Sequence, residues 1–163
     1  MKRLLILMFV AIILPAAALG QTKQINEILD KYEKKKSVES IVISPSLLQI
    51  AGTSDVNAST KELLSKIKEL RIINIKTSAM ESGVPLWTSL KGELEKHTSS
   101  DLFTRIVRIQ DGEELLEMFI TKNTEGALLF YTTTPKEFSV ISIFGSIDKT
   151  VINAAMSGGI KIK

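Results

Sequence analysis

Three groups of residues have the types and spacing that chemistry uses. The first is Ser44 and Ser46, which flank Pro45 in the stretch Ile41 to Gly52, IVISPSLLQIAG. An apolar run stops at Ser44 and a helical pattern starts at Pro45, so a serine stands at a strand-to-helix corner. Such corners present nucleophiles, and the N–H groups of a helix start attract anions. A nucleophilic serine also needs a base. No histidine or lysine is near Ser44 in sequence, and nothing in the sequence brings Lys61, Lys66 or Lys76 to it. Ser44 has a sufficient structural reason to be there: it is a good N-cap, Pro45 suits the first helical position, and Gly52 suits the position after the end. Ser44 and Ser46 therefore read as cap residues and at most a weak anion-binding corner.

The second group is the acidic cluster Asp111, Glu113, Glu114 and Glu117. Paired carboxylates at a fixed separation hydrolyse glycosides. The spacing here argues against it. Asp111 falls in a turn, and Glu113 and Glu117 alternate along a short β-arm as solvent-facing residues do. The aromatics a sugar site presents are few and scattered. The third group is the single histidine, His97, four residues after Glu93 at a helix C-terminus, where a structural imidazole is favoured. There is no cysteine, which removes thiol catalysis and thiolate metal sites, and one histidine is too few for zinc. Asp55-x-Asn57-x-Ser59 begins like a calcium loop, but Thr60 replaces the glycine at the sixth position and Lys66 the glutamate at the twelfth. There is no glycine-rich phosphate loop and no aromatic-and-basic RNA-binding pattern. No catalytic residue, metal or cofactor is expected. The alternative is a hydrolase-type enzyme using Ser44 or the Asp111, Glu113 and Glu117 carboxylates.

The address precedes the fold. Met1-Lys2-Arg3 is a positive n-region, Leu4 to Leu14 an unbroken apolar run, and Pro15 to Gly20 small and turn-prone. This is the layout of a secretory signal peptide, and the run is shorter than the roughly 20 residues a membrane span needs. Ala18-Leu19-Gly20 places the cut before Gln21, with a cut after Ala18 as the alternative. Residues 1–20 are thus expected to be a signal peptide and 21–163 a single domain, exported to the periplasm or secreted. The whole chain has 21 basic and 18 acidic residues. Lys2 and Arg3 leave with the leader, so the remainder is near neutral and gives no reason to expect nucleic-acid binding. A chain of this size buries roughly two-thirds of its surface, so a real core is expected without disulfides.

The elements that must position these residues follow from periodicity. Gln21 to Lys36 predicts a helix with Ile25, Ile28, Leu29 and Tyr32 on one stripe. Val38 to Ile43 predicts a strand, with Val38, Ser40 and Val42 on one face. Ser59-Thr-Lys-Glu62 is a capping box opening a helix with Leu63, Leu64, Ile67 and Leu70 inward, running into a strand from Arg71 to Lys76. Thr77 to Gly83 reads as a loop. Pro85 starts a helix burying Leu86, Trp87, Leu90 and Leu94, in which Gly92 suggests close packing. From Phe103 the chain alternates in four strands, with turns at Asp111-Gly112, Asn123 to Gly126 and Thr134 to Glu137. Asp148 caps a final helix with Val151, Ile152, Ala155 and Met156 inward. The fold class is α+β: an antiparallel β-meander of C-terminal strands, packed with helices from the N-terminal half and a C-terminal helix. Helices are expected on one sheet face, leaving the other more open.

Three segments carry a family likeness: Ile28 to Ser44 with Leu47 and Leu48, Ile106 to Glu113, and Glu137 to Asp148. In these packing and turn patterns the chain resembles the exported domain-of-unknown-function family DUF4252, typical of Bacteroidetes. The resemblance implies a small envelope domain and supplies no activity or catalytic residues. The expected function is a non-catalytic, exported domain that binds a protein or envelope partner, with self-association as a further option. It has no membrane span after signal cleavage and no nucleic-acid partner. The expected interaction face is Leu115 and Phe119, or else Leu116 and Met118, whichever side of the sheet is open; an exposed apolar patch would mark the contact.

Overall fold

The computed structural model describes residues 20, 22–53, 58–123 and 125–159. Residues 1–19 of the expected signal peptide lie outside the described residues, as do Asp55 and Asn57 of the calcium-like stretch. The chain runs α1 (residues 22–33), β1 (Val38–Ile43), α2 (Pro45–Thr53), α3 (Ala58–Lys66), β2 (Ile67–Lys76), β3 (Met80–Glu81), β4 (Val84–Pro85) and α4 (Leu86–Thr98). It continues through β5 (Phe103–Asp111), β6 (Glu114–Thr121), β7 (Glu125–Thr133), β8 (Glu137–Ser146) and α5 (Lys149–Gly159). Six strands form one sheet in the order β1-β2-β8-β7-β6-β5, every neighbour pair antiparallel. This is the expected α+β class: β5 to β8 are the meander, and β1 and β2 extend it beyond β8.

Both sheet faces carry helices, which corrects the expectation of one open face. On the first face Ile25, Leu29 and Tyr32 of α1 and Leu86, Leu90 and Leu94 of α4 pack on Ile73, Ile75, Phe119, Leu129, Tyr131, Phe138 and Val140. On the second, Leu63 of α3 and Val151, Ile152 and Ala155 of α5 pack with Met118, Leu128, Phe130 and Ile143. The reason lies in β7 and β8. Leu128 and Phe130 point one way and Leu129 and Tyr131 the other, so these central strands are apolar on both sides and need cover on both. Each such side chain contributes about 1.5–3 kcal/mol on burial. The aromatic stack Trp87–Phe138–Tyr131–Phe119, with successive centroids 5.8, 6.3 and 5.3 Å apart, fills the first layer.

Charged groups lock the helices in place. Arg71 on β2 is largely buried and is paired with Asp30 and, at 3.6 Å, Glu33 of α1. Burial alone would lower its guanidinium, but the Glu69 and Asp30 carboxylates more than offset this and raise it. Lys31 and the Tyr32 hydroxyl both donate to Glu93, at 2.7 and 2.9 Å, tying α1 to α4. Lys66 at the end of α3 pairs with Asp148 at 2.8 Å, at the start of α5.

Four local differences have physical causes. The strand β2 starts at Ile67, so Ile67 and Leu70 are sheet residues, because pairing with β8 outweighs a weak local helical preference. The helix α3 begins at Ala58, which puts Ser59 and Glu62 inside its first turns, where Glu62 pairs with Lys66 at 2.6 Å. The segment expected to be a loop holds a small hairpin, β3–β4, turning on Ser82 (φ 51°) and Gly83 (φ 81°), the positive pair that a tight hairpin loop favours. A Cβ on Gly92 would meet nothing within 4 Å, so Gly92 does not mark close packing.

Candidate functional site

Ser44 ends β1 and precedes α2. Its Oγ accepts the Leu47 N–H at 3.4 Å and its carbonyl the Leu48 N–H at 3.1 Å. Ser46 is exposed on the first turn of α2. The helix runs through Gly52 to Thr53.

The acidic residues are divided by strand parity. Glu117 stands opposite Arg108, while Asp111 stands opposite Glu114 at the far end of the hairpin. Three residues of strand, about 10 Å, separate the two positions, and they face opposite sides of the sheet. Glu117 is buried on the first face, where one oxygen accepts from Arg105 at 3.1 Å and lies 3.7 Å from Arg108. Asp111 and Glu113 are exposed at the turn, with Gly112 (φ 57°) bending the chain between them. The three carboxylates therefore do not converge. A cleft of ≈ 270 Å³ brings Glu117 beside Glu95, Thr98, Ser99, Arg105 and Phe119. Tyr131, which packs against Phe119, has its hydroxyl pushed well above the usual tyrosine range by burial. His97 sits half-buried in the last turn of α4. Among the described residues no three His, Cys, Asp or Glu side chains are placed to hold a metal ion. No helix among them is long and apolar enough to cross a membrane.

Leu115 and Phe119 share the first face. Phe119 is 8 % exposed and stacks against Tyr131 beneath α4, and Leu115 is half-buried. On the second face Met118 is fully buried and Leu116 half-buried. A bulge between Arg105 and Val107 is the reason β5 changes sides: Val107 faces Met118 and Ile109 faces Leu116, while Arg105 and Arg108 share the first face. Simple alternation would have put Phe103, Arg105, Val107 and Ile109 together.

Exposed apolar side chains concentrate elsewhere. Among the described residues Ile41, Val42, Leu47 and Ile50 are all exposed, at 53, 45, 52 and 64 %, and they lie within ten residues on β1 and α2. Strand β1 is a sheet edge, so every second backbone N–H and C=O along it points away from β2. Between α2 and α3 runs a groove of ≈ 570 Å³, lined by Pro45, Leu48, Gln49, Lys61, Leu64 and Ile67 among others. No residue type advertises this corner in the sequence. The one signal is the run Ile41 to Ile50, where apolar residues occupy both faces of a short strand and more than one face of a short helix.

The second face shows how the corner joins the rest. Strand register aligns Ile41, Ile72, Ile141, Phe130, Met118 and Val107 in one apolar row across all six strands. Phe130 and Met118 in the middle are buried, Ile72 and Ile141 half-buried, and Ile41 at the edge is open.

No curated protein and no solved structure matches this chain. A family model, domain of unknown function (DUF4252), matches residues 32–155, from the end of α1 through the whole sheet and most of α5. The chain belongs to the DUF4252 family.

Proposed function

We propose that this is a non-catalytic, exported binding domain of the cell envelope, and that its contact surface is the β1–α2 corner. The observation that carries the reading is the concentration of exposed apolar side chains in one stretch, with Ile41 and Val42 on the two faces of the edge strand β1 and Leu47 and Ile50 one turn apart on α2. Large apolar side chains left open together in one region, rather than scattered singly over the surface, point to an interaction site. The edge adds hydrogen-bonding groups that an extended partner segment pairs with. The export part rests on the leader: a positive start, an 11-residue apolar run from Leu4 to Leu14, and small residues up to Gly20. Leu115 and Phe119 are less suited to contact, because Phe119 is enclosed between the sheet and α4.

Two charged substitutions test the surface. The double variant Ile41→Glu, Ile50→Glu removes apolar contact at exposed positions and so keeps its denaturant midpoint close to the parent's. Co-sedimentation of the domain with an envelope fraction of its own host is then compared between the two. The parent is expected to co-sediment and the variant to remain in the supernatant. Equal co-sedimentation of both sinks the assignment of the surface.

A further inference from the structure

The two edges of the sheet differ in a way that bears on what covers them. Strand β5 is guarded: its ladder with β6 is broken by the bulge between Arg105 and Val107, and Arg105, Arg108 and Asp111 along it are exposed. Bulges and charges of this kind block edge-to-edge pairing. Strand β1 has neither device in that measure. Its register with β2 is unbroken from Val38 to Ile43, and Glu39 is its one charged residue.

We propose that β1 pairs with β1 of a second copy of this chain, antiparallel about a two-fold axis at Ile41. This rests on the reading of the β1–α2 corner as a contact surface and names its occupant. Residues directly opposite one another in an antiparallel pair share a face. A two-fold axis at Ile41 therefore places Ile41 on Ile41, Ser40 opposite Val42, and Glu39 opposite Ile43. No like charges meet: the two Glu39 side chains are four strand positions apart, roughly 13 Å. The partner this edge fits is a short strand with a large apolar residue at its centre and small or apolar neighbours, and β1 is itself such a strand. The apolar row from Val107 to Ile41 then continues across the axis into the same row of the second copy, and Ile41, 53 % exposed, becomes interior. Two six-stranded sheets join into one of twelve. Because β5 is guarded, growth stops there: an isologous contact through one edge closes as a dimer.

The chain has no cysteine, so a single introduced thiol reports position without ambiguity. The full-length protein, purified as its host processes it, is prepared as Ile41→Cys and as Glu39→Cys and oxidised in dilute solution. Directly opposed side chains have Cβ atoms about 4.5–5.5 Å apart, within reach of a disulfide after slight adjustment. A covalent dimer is expected from Ile41→Cys and little from Glu39→Cys. Light scattering of the cysteine-free protein should show a mass rising to two chains with concentration, and Ile41→Glu should return it to one. A single-chain mass at the highest soluble concentration, or equal cross-linking at 39 and 41, overturns the pairing. If the pairing falls while Ile41→Glu, Ile50→Glu still abolishes co-sedimentation with the envelope fraction, the surface stands and a different partner covers it. If both fail, both readings fall.

Discussion

At the scale of single residues, glycines separate constraint from tolerance. Gly145 in β8 has φ 145°, and a Cβ there would run into the Lys66 carbonyl where β2 begins. Gly145→Ala is expected to cost about 2–3 kcal/mol through strain and the backbone clash, read as a lower denaturant midpoint. Gly92 is the converse. It lies inside α4 with open space around it, so Gly92→Ala should raise stability by about 0.5–1 kcal/mol. A destabilised Gly92→Ala would mean that the α4 backbone packs more tightly there than its surroundings indicate. Leu90, fully buried between α4 and the sheet, should cost about 2–5 kcal/mol when cut to alanine. The chemistry-bearing residues were legible as types but not as places. Glu117 differs from Asp111 and Glu113 because it lies within β6 beside the end of α4, while they sit at the exposed turn, and which stretch of the sheet α4 covers cannot be counted off along the chain. Ser44 was legible, since a cap, a proline and a strand end are all local features.

At the scale of elements, the junction of α3 and α5 depends on charge. Asp148 accepts from the Thr150 and Val151 N–H groups at 2.9 and 3.2 Å and pairs with Lys66. The Lys66 ammonium first, and the Val151 N–H second, hold its carboxyl below the usual aspartate range. Its folded value lies below its unfolded value, so the stabilisation is present above about pH 4 and is lost as pH falls through the folded value. Asp148→Asn keeps a cap but removes the charge. The variant should be less stable than the parent near neutral pH, and the gap should narrow as pH falls below about 4. A gap that stays constant down to acid would show that the charge of Asp148 adds nothing. The elements themselves were largely legible, because their signals are local: the period-2 runs of β6 to β8, the Asp148 cap and the proline before α4. Where the signal was missed, long-range pairing decided. Ile67 and Leu70 read as helical by spacing, and pairing with β8, more than seventy residues away, together with β1 at Leu70, makes them a strand.

At the scale of the whole molecule, the order β1-β2-β8-β7-β6-β5 explains why the proposed contact surface is hidden in the sequence. Nothing local says that β2 crosses to β8 and leaves β1 at the rim, so the exposure of Ile41 and Val42 is a property of topology. The sequence also could not show that α3 and α5 would cover the second face, which is why Leu115, Phe119, Leu116 and Met118 looked like contact residues. A photo-activated cross-linking residue placed in the full-length protein in its own host, at Ile41, at Ile50 and at Lys96 on α4, tests directly whether the molecule meets its partner through the β1–α2 corner. Discrete adducts, including one of two copies, are expected from positions 41 and 50 and none from 96. Adducts from 96 alone, or an absence of adducts at 41 and 50, would contradict it.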